Sequence, residues 1–221
     1  MVKSLLRNRY HAHEPIWHAQ LAMLGAVILQ LLLPDRLTFG SRYLLITMEI
    51  ILLVAMSFTT PKEKIFQSIG RRINVFLLIA LTSIANAYSL FQIAQKLLDA
   101  HHIDNGRALI FSAVNIYLTN IIVFGLWYWE MDGGGPGRRR AIDKTEQDFL
   151  FPQSSDEAFT ASLWQPTFID YLYVSSTNAM AFSPTDTLPL TRRAKLLMLA
   201  QATLSLITIG LVAARAVNIL S

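Results

Sequence analysis

The chain contains no cysteine among its 221 residues. That excludes disulfides, thiolate-held zinc and thiol nucleophiles. It is also poor in charge: Asp, Glu, Lys and Arg make up 15% of it, against about 25% in an ordinary soluble domain. Apolar residues fill the deficit at 53%, and the mean hydropathy is +0.40. They are gathered into blocks, which marks an integral membrane protein with the lipid bilayer as its first partner. The net charge of +4 does not point to nucleic acid, because the basic residues stand beside apolar blocks, where they act as topology signals. No internal repeat, nucleotide fingerprint, paired-carboxylate site or Ser/His/Asp set emerges, so neither an enzyme nor a cofactor is expected. His11, His13 and His18 are close enough to hold a metal, but no carboxylate–histidine pattern accompanies them, and they read as part of an interfacial segment. No cleavable leader is evident. The first apolar run starts near Ile16, lacks a small-residue cleavage site and reads as a retained helix.

What is present predicts a single all-α transmembrane domain over 1–221. Five spanning helices are expected at about 16–33, 42–58, 73–98, 108–129 and 194–217. The first two are near the short limit for spanning, and Pro34-Asp35 and Thr59-Thr60-Pro61 stop them. Glu49 lies in the middle of the second. An acid at membrane depth is costly, so Glu49 is either a functional group or a protonated or hydrogen-bonded packing residue. Asn86 shares a face of the third helix with Ser89 and Gln92, and Asn115 lies on the fourth with Thr119 and Asn120. Such residues usually bond one helix to another. Trp127-Tyr128-Trp129 reads as an interfacial aromatic belt.

The stretch 131–166 is the only long hydrophilic one. Its Gly133-Gly134-Gly135-Pro136-Gly137 lacks the Lys-Ser/Thr and the preceding strand of a phosphate loop. It reads as a flexible turn, and Arg138, Arg139 and Arg140 as a topology signal. Phe149-Leu150-Phe151-Pro152 is expected at the membrane surface.

A half-helix is expected over 167–182. As a helix, this segment rises only about 24 Å, against a hydrocarbon core of about 30 Å. Thr167 fits an N-cap and Asp170 the third helical position of a capping box. The polar run after it, broken at Pro184, leads into the last helix. Non-helical backbone at membrane depth is tolerated only inside protein or along a watery cavity. A re-entrant loop is therefore the candidate site, with Thr177, Asn178, Ser183, Thr185 and Asp186 as candidate pathway residues. The C-terminal end of the half-helix carries about half an elementary negative charge. Together with the Asp186 carboxylate it favours cations, and a homo-oligomer would gather these acids into a ring. Monovalent cations are the solutes this suits. The alternative is that Asp186 caps the chain entering the last helix and pairs with Arg192 or Arg193.

Asp170-Tyr171-Leu172-Tyr173-Val174-Ser175-Ser176-Thr177, Phe182-Ser183-Pro184-Thr185-Asp186-Thr187, Arg192-Arg193 and a closing apolar helix with Asn218 resemble a domain-of-unknown-function family of small bacterial inner-membrane proteins. The specific residues cover about the last quarter of the chain. The resemblance implies a multi-pass protein of the bacterial inner membrane and carries no activity with it. More distantly, Phe168, Asp170, Leu172, Tyr173, Ser175, Thr177, Asp186, Pro189 and Lys195 follow the order of a potassium-channel pore loop. That likeness implies a pore-loop channel. No glycine lies between Thr177 and Asp186, however, so a carbonyl filter of the potassium type is not expected. The competing reading is a non-conducting structural or accessory membrane protein.

Counting Lys and Arg puts 1–15 and 61–72 in the cytoplasm, and four crossings return the chain there before Arg138. The half-helix then enters from the cytoplasmic side, whereas a potassium-channel loop enters from outside. Either the loop is inverted, as in glutamate-receptor channels, or an early segment does not span, or the channel likeness is superficial. The charge count predicts an extracytoplasmic C-terminus. A phosphatase-type reporter fused after Ser221 should be active in intact cells, and activity of a cytoplasm-only reporter in its place would overturn the assignment.

Overall fold

The computed structural model describes residues 17–38, 42–58, 69–98, 106–136, 139, 147–155, 164–181 and 186–220. Among these, the helices are α1 Trp17–Leu31, α2 Arg42–Phe58, α3 Ile69–Leu98, α4 Gly106–Met131, the one-turn α5 Pro152–Ser155, α6 Phe168–Ala181 and α7 Arg192–Leu220. Two 3-10 turns, Asp35–Leu37 and Asp132–Gly134, follow α1 and α4. Pro34 is extended, with ψ 144°, and separates α1 from the first of these turns. Its ring supplies no N–H to continue a helix.

Three stretches are long and apolar enough to cross a bilayer: Gly70–Lys96, Ala108–Gly134 and Arg192–Arg215. Trp17–Leu31 and Leu45–Val54 are shorter apolar helices. Large apolar side chains face outward along the bundle, among them Leu21 and Ile28 on α1, Leu77 and Ile84 on α3, and Leu199 and Leu206 on α7. Such a surface needs an apolar surrounding, as in a multi-pass membrane protein.

The core is gathered around α4. Of its most apolar window 61% is buried, against 22% for α7. Val123, Tyr128 and Trp129 meet Met23 of α1, Ile79 of α3, Tyr171 of α6 and Met198 of α7. The expected aromatic belt is therefore corrected: Tyr128 and Trp129 are fully buried, and the Trp127 indole N–H donates to Ser83 Oγ at 2.9 Å. Phe149 and Phe151 are also buried rather than laid on the membrane surface. Their rings meet Tyr171 edge-on at 6.1 and 5.2 Å.

The fold is not purely helical. β1 (Phe149–Leu150) pairs antiparallel with β2 (Leu188–Pro189), with Phe149 opposite Pro189 and Leu150 opposite Leu188. The backbone groups flanking α6 find partners in each other here, a need that the helical pattern of the sequence does not reveal. The glycine run forms a turn, as expected: Gly133, Gly134 and Gly135 have φ of 58°, 82° and 94° and end α4. A Cβ on Gly135 would meet Glu130 O at 3.1 Å and Glu130 Oε1 at 3.2 Å.

α6 lies closest to α4, and Gly125 permits the approach: a Cβ there would meet Leu172 Cα at 3.2 Å and Leu172 Cδ1 at 3.3 Å. Gly125→Leu should push α6 off α4 and cost about 1–3 kcal/mol as overpacking. A lowered unfolding temperature in detergent, with helix content retained at low temperature, is the expected result. An unchanged temperature would show that α6 is not held at this crossing.

Candidate functional site

The start of α6 shows the reach-back half of a capping box. Asp170 Oδ2 accepts from Thr167 N–H at 2.6 Å and from Thr167 Oγ1 at 2.8 Å. Asp170 thus reaches back to the N-cap as the spacing predicts. Beside it, the Asp132 carboxylate is buried at the end of α4. Asp132 Oδ1 accepts from the backbone N–H of Asp148 at 2.6 Å and of Phe149 at 3.3 Å. Its Oδ2 accepts from the Tyr171 hydroxyl and lies 3.6 Å from Arg139 Nε. The Arg139 guanidinium stacks on the Tyr171 ring at 4.7 Å. It also donates to Pro166 O at 3.3 Å and to Trp129 O. Arg139 is therefore a buried fastener.

Asp148, itself buried, carries the connection to α7. Arg193 donates Nε and Nη2 to its two carboxylate oxygens, both at 2.6 Å, and Thr191 Oγ1 donates at 2.5 Å. Bidentate guanidinium–carboxylate pairs fix orientation as well as distance. The Asp148 side chain and the β1–β2 pair bring the chain after α6 back to the end of the bundle at which α6 begins. Arg71 and Glu130, 3.4 Å apart, tie the start of α3 to the same end.

Two turns along α6 a second polar group is enclosed by helices. Gln201 Nε2 donates to Ser175 O at 2.9 Å and to Ser175 Oγ at 2.6 Å. Gln201 Oε1 accepts from Tyr128 Oη at 2.5 Å and from Asn178 Nδ2 at 2.9 Å. Asn178 Nδ2 also lies 3.0 Å from Met198 O, and Ser175 Oγ donates to Ile121 O at 2.7 Å. These side chains link α4, α6 and α7 by hydrogen bonds in a place without bulk water, where an unpaired amide is expensive.

The pathway candidates of the sequence are thus separated. Asn178 is buried in the helix-linking group, while Thr177 bonds its own helix through Tyr173 O and Val174 O, each at 3.0 Å. Asp186 is exposed. Arg193 is taken by Asp148, and Asp186 makes no ion pair among the described residues. Ser183 and Thr185 lie outside the described residues, as do His11 and His13. Of the intramembrane polar residues, Asn86 Nδ2 donates to Ile116 O at 3.2 Å, bridging α3 to α4. Asn115 is buried, with its Nδ2 unpartnered. Glu49 is buried, with Thr82 Oγ1 at 2.8 Å from its Oε1. Asp132, Asp148 and Gln201 escaped the sequence reading, and Arg139, Tyr171 and Tyr128 were assigned other roles in it. Gln201, alone in a long apolar run, was the one clear signal among them.

No group of His, Asp or Glu that could hold a metal occurs among the described residues. No protein-family model, curated protein or solved structure matches the chain.

Asp132 is surrounded by donors, so an amide in its place would present N–H to N–H and leave Arg139 without its anion. Asp132→Asn should cost about 3–5 kcal/mol, the usual loss on breaking a buried pair. Thermal unfolding of the purified protein should show it, together with easier proteolysis of the segment after α4. A full-strength unfolding transition in the variant would mean that Asp132 is not the anchor.

Proposed function

We propose that the protein is a pore-loop-like membrane channel, cation-conducting and self-associated, in which the chain from the end of α6 to β2 borders the pathway. On this reading α1, α2, α3, α4 and α7 span the bacterial inner membrane and α6 is re-entrant. One observation carries it: α6 and the return through β2 begin and end at the same end of the bundle, clasped by Asp132, Asp148 and β1. A 14-residue helix rises about 21 Å, too little to cross. The Arg71, Arg139 and Arg193 end is the cytoplasmic one by charge, so the loop enters from within. Of the pathway residues, Thr177 and Asp186 have side chains outside the helix-linking group, and Asp186 supplies the acid a cation ring needs. Ser183 and Thr185 complete the segment. Asn178 supports the pathway from behind by fixing α6 to α7.

A second reading is favoured by that same helix-linking group. Ser175, Asn178 and Gln201 are fully engaged with one another, as they would be in an accessory protein whose α6 only packs.

Flux measurement separates the two. The chain lacks cysteine, so a single cysteine at Ser183 or Thr185 is a background-free reporter. Vesicles carrying the full-length protein should pass monovalent cations, and charged thiol reagents should block Ser183→Cys or Thr185→Cys. Asp186→Asn should lower cation over anion preference several-fold while folding and assembly persist. A folded, assembled protein with no flux above empty vesicles would favour the accessory reading. Flux untouched in Asp186→Asn would remove that residue from the path.

A further inference from the structure

Where α1, α2 and α3 meet, away from α6, Glu49 is wholly buried. Thr82 Oγ1 lies 2.8 Å from Glu49 Oε1 and 3.0 Å from Leu78 O. Glu49 Oε2 has no hydrogen-bond partner. The described titratable side chains of the packed helices are His18 on α1, Tyr43 on α2, and Arg71, Arg72, Tyr88 and Lys96 on α3. None of them pairs with Glu49. An ionised carboxylate with a bare oxygen, desolvated and with no cation among the described side chains, is unstable against taking up a proton.

The hydroxyl geometry agrees. Thr82 has one hydrogen and two acceptors in reach. If Glu49 carries a proton on Oε1, it donates to Thr82 Oγ1, and Thr82 donates to Leu78 O. Both short distances are then hydrogen bonds, and Oε2 is a neutral carbonyl oxygen, the form that best tolerates having no partner. In the ionised form the single hydroxyl hydrogen serves only one of the two, and Leu78 O keeps the helical N–H of Thr82.

A narrow cleft of about 10 Å³, room for about one water, lies close by, lined by Gln30, Leu33, Leu45, Ile46, Ala85 and Ser89 and by Thr38. Leu45 and Ile46 lie one turn before Glu49, and Ala85 and Ser89 lie one and two turns beyond Thr82. The cleft therefore lies between the acid and the Pro34–Thr38 turn, toward the end opposite Asp132.

We propose that Glu49 is a proton-binding site of the membrane interior. The step is a plain acid–base exchange: the Glu49 O–H bond breaks, and the proton passes to a water molecule. One carboxyl and one hydroxyl suit a proton and fall short of the oxygen cage of a metal cation. The site is separate from α6 and independent of whether the chain conducts.

A hydrophobic carbodiimide tests it, because such reagents attack carboxyls in the protonated form. The full-length protein in phosphatidylglycerol-containing vesicles is treated, digested and mapped by mass spectrometry. The Glu49 peptide should be labelled about tenfold more strongly at about pH 6 than at about pH 9, as for an exchanging acid. Glu49→Gln should remove the label. Infrared difference spectra of the unsubstituted protein on the same pH step give a second reading that needs no variant: an acid carbonyl band should appear at the lower pH. No label at the lower pH would overturn the proposal, and so would equal label at both, which marks a permanently neutral packing residue. Protection by sodium at constant pH would also overturn it, since the site would then take a metal cation.

Discussion

A single buried carboxylate at the end of α4 decides where the C-terminal third of the chain goes. Asp132 accepts from two backbone amides of the incoming strand and from the α6 hydroxyl of Tyr171, and it faces the Arg139 guanidinium. Removing two charges from water is costly, and only a full set of donors offsets that cost. Here the set is supplied by three separate parts of the chain. Each part is held because the acid needs it, and α6 can start nowhere else.

The remaining helices illustrate a different constraint. In lipid, apolar burial does not distinguish a neighbouring helix from an acyl chain, so packing and polar bonds set the partners. Gln201 joins α7 to α6 and, through Tyr128, to α4. Asn86 joins α3 to α4, and Asn120 joins α4 to α7 through Ser205 at 3.0 Å. α7 shows most clearly how few such bonds suffice: it is largely exposed along its length, yet it is registered at Arg193, Gln201 and Ser205.

The sequence made the long helices legible because they are continuous apolar runs. Pro34 was a legible stop, and Thr167 with Asp170 was a legible start. Thr167 to Phe182 was legible as too short to cross. What stayed hidden depends on partners remote in sequence. Asp132 and Asp148 sit in a hydrophilic stretch and look like solvated acids until Tyr171 and Arg193 arrive, 39 and 45 residues later. Tyr128 and Trp129 look like interfacial aromatics, because the helix end they mark is buried under a loop that carries no apolar pattern of its own. A two-residue strand pair such as Leu150 with Leu188 leaves no periodicity to detect. Asn178 showed only that the half-helix carries a polar residue near its end. Which way it points was fixed by Gln201.

The Gln201 amide also has a meaning in time. Domains are made N-terminus first, at about 5–20 residues per second. While α6 is being synthesised, Asp132 and Arg139 already exist, but Met198 O and Gln201 do not. Ser175 can already bond Ile121 O of α4, whereas the Asn178 amide gains its closest partners only with α7. Burial before then would leave that amide poorly paired. α6 therefore completes its packing only with the last helix beside it, and a chain stopped before α7 would give quality-control proteases a substrate that the full chain conceals.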